Sequence, residues 1–242
     1  MALNSLVDNH HDYPNLQEYF NEANLKISTI LTSVRLYFDQ SSKALRSLSD
    51  LSDYDAMFQE LKRDQYDQNL EYRFAEQLRN HVQHKGMPVS TIKGETEPPI
   101  LNKSLLFHYS PTLMANKTQF ELDENFKKSI MEGFSSRIDL KSVVRIYISC
   151  IIKIHNELGY QLQQEMIESR KVFDDFILRY EDFNDGVTLG LHVFHCKGDE
   201  TLDQFSIITD WDDVRCALYN RSKSLKSLKN QYIYSGFSKD LK

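Results

Sequence analysis

Residues 70–88 read LEYRFAEQLRNHVQHKGMP, and this stretch decides how the first half of the chain folds. Its apolar residues recur at intervals of four: Leu70, Phe74, Leu78 and Val82. That interval is the spacing of a buried helical seam. The stretch closes on Gly86-Met87-Pro88, and a glycine after the last turn with a proline two residues later is a strong helix stop. The pattern predicts a helix that ends near His84.

Helical patterns lie on both sides of this stretch. An apolar stripe that begins after Pro14 predicts a helix of roughly 30 residues, followed by a frayed end and a turn in the polar residues 39–50. Asp123 is placed to cap a helix over 123–134. A long helical stretch is predicted over 140–183, where Gly159 is a tolerated weak point. A short strand or extended crossover is expected over 105–109.

Residues 184–242 have a different pattern. β-like runs at 187–196 and 205–208 flank Lys197-Gly198-Asp199-Glu200 and predict a hairpin. Asp210 can cap a last helix that begins near Trp211. The predicted fold class is therefore mainly α: a bundle of long helices with a small β hairpin and an accessory C-terminal helix. We expect a helical domain over 1–183 and an accessory hairpin-plus-helix segment over 184–242 packed on it.

The composition excludes several classes of protein. With 40% hydrophobic and 12% aromatic residues, the 242-residue chain is not a disordered sequence. Cys150, Cys196 and Cys216 lie far apart, so neither a disulfide framework nor a cysteine-rich zinc site is indicated. No apolar run approaches the roughly 20 residues of a membrane span. The first twelve residues lack the pattern of a secretory signal, so we expect a cytoplasmic protein with no membrane association.

The charge is unevenly distributed. Against a net charge of −6 for the whole chain, residues 215–242 carry +6, which leaves −12 on residues 1–214. The acidic body argues against a surface that binds nucleic acid everywhere. The basic end interleaves tyrosines with cations, a mixture that attracts phosphates and stacks on bases. Its candidate RNA contacts are Arg221, Lys223, Lys226 and Lys229; the alternative is an exposed basic helix whose leucines pack on the body.

Residues 79–84, Arg-Asn-His-Val-Gln-His, carry the clearest chemical signal. They resemble the Arg-Asn-x-x-x-His motif of the HEPN superfamily and match it at every fixed position. Members of this superfamily are bundles of long helices, and many are metal-independent endoribonucleases of toxin–antitoxin or anti-phage defence systems. The resemblance covers residues 14–183 at the level of the fold. It implies an RNA substrate, a homodimer with a composite cleft, and an antitoxin or another defence-system partner.

The residue types suit RNA cleavage by attack of the substrate's own 2′-hydroxyl, which requires no metal and no other cofactor. His84 can transfer protons near neutral pH. Arg79 can donate two parallel hydrogen bonds to phosphate oxygens, and Asn80 can orient its neighbours or the phosphate. His81 and Lys85 are further candidate RNA contacts, although His81 is also interpretable as an exposed variable position. The alternative for the whole motif is a solvated face or a helix C-cap.

Helical geometry constrains this site. Arg79 and His84 are separated by five residues, which places them about 140° apart around an ideal helix axis. A two-fold axis can bring the motifs of two copies together. The resemblance to the HEPN superfamily implies a homodimeric endoribonuclease, with which this geometry agrees; the alternative is a non-catalytic HEPN-like helical protein that binds RNA, a nucleotide or a protein partner.

No metal site is predicted. His192 and Cys196 would share a strand face but lack a third convergent ligand, so ordinary strand residues are the better interpretation of His192, His195 and Cys196. His10-His11-Asp12 is a terminal pair of histidines of the kind that is usually solvent-exposed. The cluster of Asp210, Asp212 and Asp213 is expected to cap the last helix.

Overall fold

The computed structural model describes residues 13–47, 52–97, 106–188, 190–222, 227–228 and 235–238. This part of the chain is mainly helical and contains two small antiparallel sheets. The chain divides into two compact units, here called unit 1 (residues 1–154 and 227–242) and unit 2 (residues 155–226). Within the described residues, no helix has the length and apolar character needed to cross a membrane.

Long helices form most of unit 1. They are α1 (Tyr13–Ser47), α2 (Ser52–Gln68), α3 (Leu70–His84) and α6 (Leu140–Gln161), whose last residues belong to unit 2. Helix α1 runs through much of the polar stretch predicted as a frayed end and a turn. The reason is burial, since Ser42 and Leu45 continue the stripe that packs inward. The core of these helices contains Leu31, Phe38, Phe58, Phe74, Leu78, Tyr147 and Ile154.

Helix α3 ends where the sequence predicts. The backbone N–H groups of Lys85 and Gly86 both donate to the carbonyl oxygen of His81, which closes the last turn. The buried stripe differs from the predicted seam, because Val82 is only half-buried and His81 is 6% exposed. The stripe that packs inward therefore continues from Phe74 and Leu78 to His81.

Unit 1 contains a four-stranded sheet that the predicted fold class did not include. Its strands are β1 (Thr91–Glu97), β2 (Leu106–Asn116), β3 (Arg137–Asp139) and β6 (Ser235–Ser238). Strand β2 pairs with β1 along one edge and with β3 and β6 along the other, always antiparallel. Only its first residues coincide with the strand expected over 105–109. The polar sequence of β1, TIKGETE, carries no alternating apolar pattern that would reveal the sheet.

Two short helices connect β2 to β3. They are α4 (Lys117–Glu121) and α5 (Lys128–Met131), so the helix predicted over 123–134 is wrong in length. Asp123 does not cap it, because the residue before α5 is Lys127 and the Asp123 carboxylate binds His81 instead. Phe74 packs against the rings of Phe120, Phe126 and Phe134, which holds this segment on α3.

Unit 2 contains the predicted hairpin and last helix. After the end of α6, its elements are α7 (Gln163–Phe183), the hairpin strands β4 (His192–Lys197) and β5 (Glu200–Ser206), and the last helix α8 (Asp210–Ser222). The stretch predicted as one helix over 140–183 is interrupted at Leu162. Because Arg170 of α7 binds Asp212 and Asp213 of α8, α7 belongs with the hairpin and α8. The division of the chain accordingly falls after Ile154 and differs from the boundary predicted at residue 183.

Candidate functional site

Arg79 and Asn80 contact each other directly. Nη1 of the half-buried Arg79 donates to Oδ1 of the exposed Asn80 at 3.0 Å. Nε of Arg79 is buried and has no hydrogen-bond partner among the described residues. The guanidinium is thus held by its neighbour, and its Nε–H retains an unused hydrogen bond.

His84 and Lys85 end helix α3 with exposed side chains. Within the described residues, the imidazole of His84 has no hydrogen-bond partner. Both residues border a cavity of about 300 Å³, here called the α3 cavity. The cavity is lined by Gln77, Asn80, His81, His84, Lys85, Asp123, Asn125 and Phe126.

Arg79 does not line the α3 cavity, although it lies only five residues before His84. Helix α3 stays regular as far as His84, so the angular separation predicted from the sequence is retained within one chain. Arg79 acts electrostatically on Tyr147 of α6, whose hydroxyl donates to Oε1 of Glu76 at 2.7 Å. Burial, more than the nearby Glu76 carboxylate, raises the pKa of Tyr147 far above its ordinary value. One chain therefore places His84, but not Arg79, at the cavity.

His81 is an internal residue, which corrects its interpretation as an exposed variable position. Neither of its ring nitrogens is available for the RNA contact that was the other prediction. Its Nδ1 lies 2.8 Å from Oδ2 of Asp123, and its Nε2 lies 3.2 Å from Nε2 of Gln119. The Gln119 amide nitrogen also donates to the carbonyl oxygen of Met87 at 2.8 Å, which fixes the orientation of that amide. Nε2 of His81 must then accept and Nδ1 must donate, a pattern that describes a neutral ring with its proton on Nδ1.

Asp123 joins the end of α3 to the segment between α4 and α5. Its Oδ1 accepts from the backbone N–H of Asn125 at 3.1 Å, while Oδ2 binds His81. The hydrogen bond from His81 lowers the pKa of Asp123, against the opposing effect of burial. The carboxylate therefore stays charged and holds the turn. The sequence does not predict this pair, because the two residues are 42 positions apart and the local sequence around each gives no sign of the other.

The candidate RNA contacts of the basic C-terminal end are only partly described. Arg221 is exposed and lies in the last turn of α8 in unit 2. Lys223, Lys226 and Lys229 lie outside the described residues. The α3 cavity belongs entirely to unit 1, so these two groups of candidates lie in different units or outside the described chain.

The described residues hold no group of three or more His, Cys, Asp or Glu side chains that could bind a metal ion. Nδ1 of His192 instead lies 3.1 Å from both Gln204 Nε2 and Ser206 Oγ across the hairpin. Asp212, expected to cap α8, is buried and binds Arg170 and Arg215. The hydrogen bond from Arg215 is the main cause of the lowered pKa of Asp212.

In comparisons with known proteins, the chain matches no family model, no curated protein and no solved structure. The functional interpretation of α3 therefore rests on the six-residue motif and on the geometry around it.

Proposed function

We propose that this chain is a metal-independent endoribonuclease of the HEPN type. The observation that carries the proposal is the position of His84, an exposed imidazole at the edge of a polar cavity at the end of α3. Histidine is the side chain best suited to give and accept protons near neutral pH. No hydrogen bond within the described residues competes for the His84 ring, so the ring is available to a substrate.

The proposed reaction is an attack of the RNA 2′-hydroxyl oxygen on the adjacent phosphorus. His84 accepts the proton of that hydroxyl, and the bond between phosphorus and the 5′-oxygen of the next nucleotide breaks. The leaving 5′-oxygen takes up a proton from water and His84 returns its proton to the solvent, so the products are a 2′,3′-cyclic phosphate and a 5′-hydroxyl. Arg79 stabilises the charge that builds up on the phosphate oxygens, through the donors that the contact with Asn80 leaves unused.

Two copies of the chain form the complete site in this proposal. Within one chain Arg79 lies outside the α3 cavity that His84 borders. A two-fold arrangement of two α3 helices pairs Arg79 of one copy with His84 of the other and forms a composite cleft. The resemblance to the HEPN superfamily supports this homodimer, and it also supports a bacterial toxin or anti-phage defence role with an antitoxin or other defence partner in the cytoplasm.

Two variants test the catalytic assignment. We expect Arg79→Ala and His84→Ala to lower RNA cleavage by about 10²-fold or more in the presence of a chelator. Gln83→Ala is the matched control, because Gln83 is exposed on the same helix and does not line the cavity. Circular dichroism and thermal unfolding check that each variant is folded. Cleavage at the wild-type rate by both variants would refute the assignment.

A non-catalytic HEPN-like helical protein is the second candidate, and the surface of unit 2 favours a protein partner. Phe176, Phe194, Phe205 and Trp211 each expose half or more of their surface, and α7 contains no buried residue. Aromatic residues are enriched where proteins bind one another. RNA that stays intact with the purified protein would favour this candidate over the ribonuclease.

A further inference from the structure

The α3 cavity carries more hydrogen-bonding groups than proton transfer requires. Besides His84 and Lys85, its wall contains the side-chain amides of Gln77, Asn80 and Asn125. A volume of about 300 Å³ lies at the lower end of the range for small-molecule sites, about 300–1,000 Å³. The cavity therefore suits one small polar group and not a large ligand.

Two of the three amides have their oxygen atoms occupied. Oε1 of Gln77 accepts from the backbone N–H of Lys127 at 3.4 Å, and Oδ1 of Asn80 accepts from Arg79 at 3.0 Å. Because each oxygen faces a donor, the orientation of both amides is fixed by chemistry. Their NH₂ groups have no partner within the described residues. The cavity wall thus presents pre-oriented hydrogen-bond donors.

The third amide belongs to Asn125, whose backbone is held by Asp123. The backbone N–H of Asn125 donates to Oδ1 of Asp123, and Asp123 is itself fixed by His81. The side-chain amide of Asn125 has no partner within the described residues and can offer either its oxygen or its nitrogen. It adapts to a ligand, whereas Gln77 and Asn80 only donate.

The chemistry of the wall limits the class of ligand. An apolar ligand does not fit, because the only large apolar side chain that lines the cavity, Phe126, is 4% exposed. A free inorganic anion does not fit well either, since the Asp123 carboxylate forms part of the same wall. A group that is neutral, planar and rich in acceptors, attached to a phosphate within reach of Lys85, satisfies all of these side chains.

We propose that the α3 cavity binds the nucleobase next to the cleaved phosphate and selects bases with a keto oxygen at C4 of a pyrimidine or C6 of a purine, which are uracil and guanine. This inference deepens the proposed ribonuclease function and rests on it. The keto oxygen accepts from the NH₂ groups of Gln77 and Asn80. The amino group of cytosine or adenine places a donor against those donors and leaves both unpaired, which is the basis of strong rejection.

Nucleotide binding tests the inference without requiring cleavage. We expect nuclear magnetic resonance titrations of the full chain to show tighter binding of UMP than CMP, and of IMP than AMP, by about tenfold. Each pair compares an exocyclic oxygen with an amino group at one ring position, together with the change of the adjacent ring nitrogen from donor to acceptor. Gln77→Glu keeps the acceptor for Lys127 and replaces the donor by an oxygen, so it should abolish the keto preference. Gln83→Glu, with the same charge change outside the cavity, should retain it.

A second variant tests the inference independently if Gln77→Glu fails to fold. Asn125→Ala removes an exposed side chain without a partner in the described chain and should weaken UMP binding, whereas Glu124→Ala beside it should not. Equal binding within both nucleotide pairs, no binding at millimolar nucleotide, or a preference that survives Gln77→Glu would overturn the inference. A keto preference without RNA cleavage would support the cavity and reject the ribonuclease. Cleavage without any base preference would reject the cavity alone.

Discussion

Nδ1 of His81 lies 2.8 Å from Oδ2 of Asp123, and each of the two side chains is only 5% exposed. This pair connects the last turn of α3 to a segment 42 residues further along the chain. Both ring nitrogens of His81 are engaged, which leaves none for a substrate. The role of the pair is therefore to hold the turn that carries His84 and Lys85.

Removal of one partner should destabilise unit 1 strongly. We expect Asp123→Ala to lower the free energy of unfolding by about 3 kcal/mol, because it leaves the buried His81 without its acceptor. Urea unfolding followed by circular dichroism measures the change. Glu124→Ala is the control, since this neighbour is exposed, and it should change the stability by less than about 0.5 kcal/mol. Similar losses for the two variants would contradict the structural role of the pair.

The same pair predicts a dependence of stability on acid pH. The folded-state pKa of Asp123 is lowered, chiefly by the hydrogen bond from His81. Its contribution is therefore complete above the unfolded-state pKa of about 4 and is lost as the pH falls through the lower folded value. Urea unfolding between about pH 2 and 5 should show a smaller loss of stability with acid for Asp123→Asn than for the wild type. Parallel curves for the two proteins would rule out this linkage.

Mixing inactive variants tests the composite cleft. Arg79→Ala and His84→Ala homodimers should each be inactive, but a mixed dimer retains one cleft with both residues intact. Equal amounts, refolded together, should recover about a quarter of the wild-type cleavage rate, because half of the dimers are mixed and each has one intact site of two. Recovery should be absent if Arg79 and His84 act within one chain.

Replacement of Gly159 in α6 by alanine should not give the stabilisation that this substitution usually gives in a helix. A Cβ atom at this position would lie 2.8 Å from Cε2 of Tyr219, closer than real contacts allow. We expect Gly159→Ala to destabilise the protein by about 1 kcal/mol, since the overpacking exceeds the gain in helix propensity. A double-mutant cycle with Tyr219→Ala should give a coupling free energy of about 1 kcal/mol or more. Independent effects would show that the Tyr219 ring moves aside freely.

Local signals allowed accurate prediction of some elements. The end of α3, the hairpin and the start of α8 depend on glycine, proline and aspartate positions that act within a few residues. The four-stranded sheet and the break at Leu162 were not predictable in this way. The sheet depends on the pairing of β2 with strands that are short or, like β1, largely polar. The apolar spacing continues across Leu162 without interruption.

The candidate site shows the same distinction. The motif residues Arg79, Asn80 and His84 were identifiable because they lie within six consecutive positions. The spacing of four predicts that Val82 is buried. In the structure His81 is buried instead, because its ring packs against Phe120 and binds Asp123. The burial of a polar residue next to a motif depends on a partner distant in sequence, which periodicity alone does not reveal.

The pairing of β2 with β6 constrains the order in which the protein matures. Leu106 lies opposite Ser238, so the ribosome must add about 130 further residues before this edge of the sheet can close. Unit 2 is translated during that interval, between the two segments of unit 1. Until residues 235–238 emerge, residues 106–109 lack the partner strand of one edge, and such open edges favour pairing with other chains. Release of the chain before residues 235–238 are made would therefore leave this edge of the sheet open to pairing with other chains.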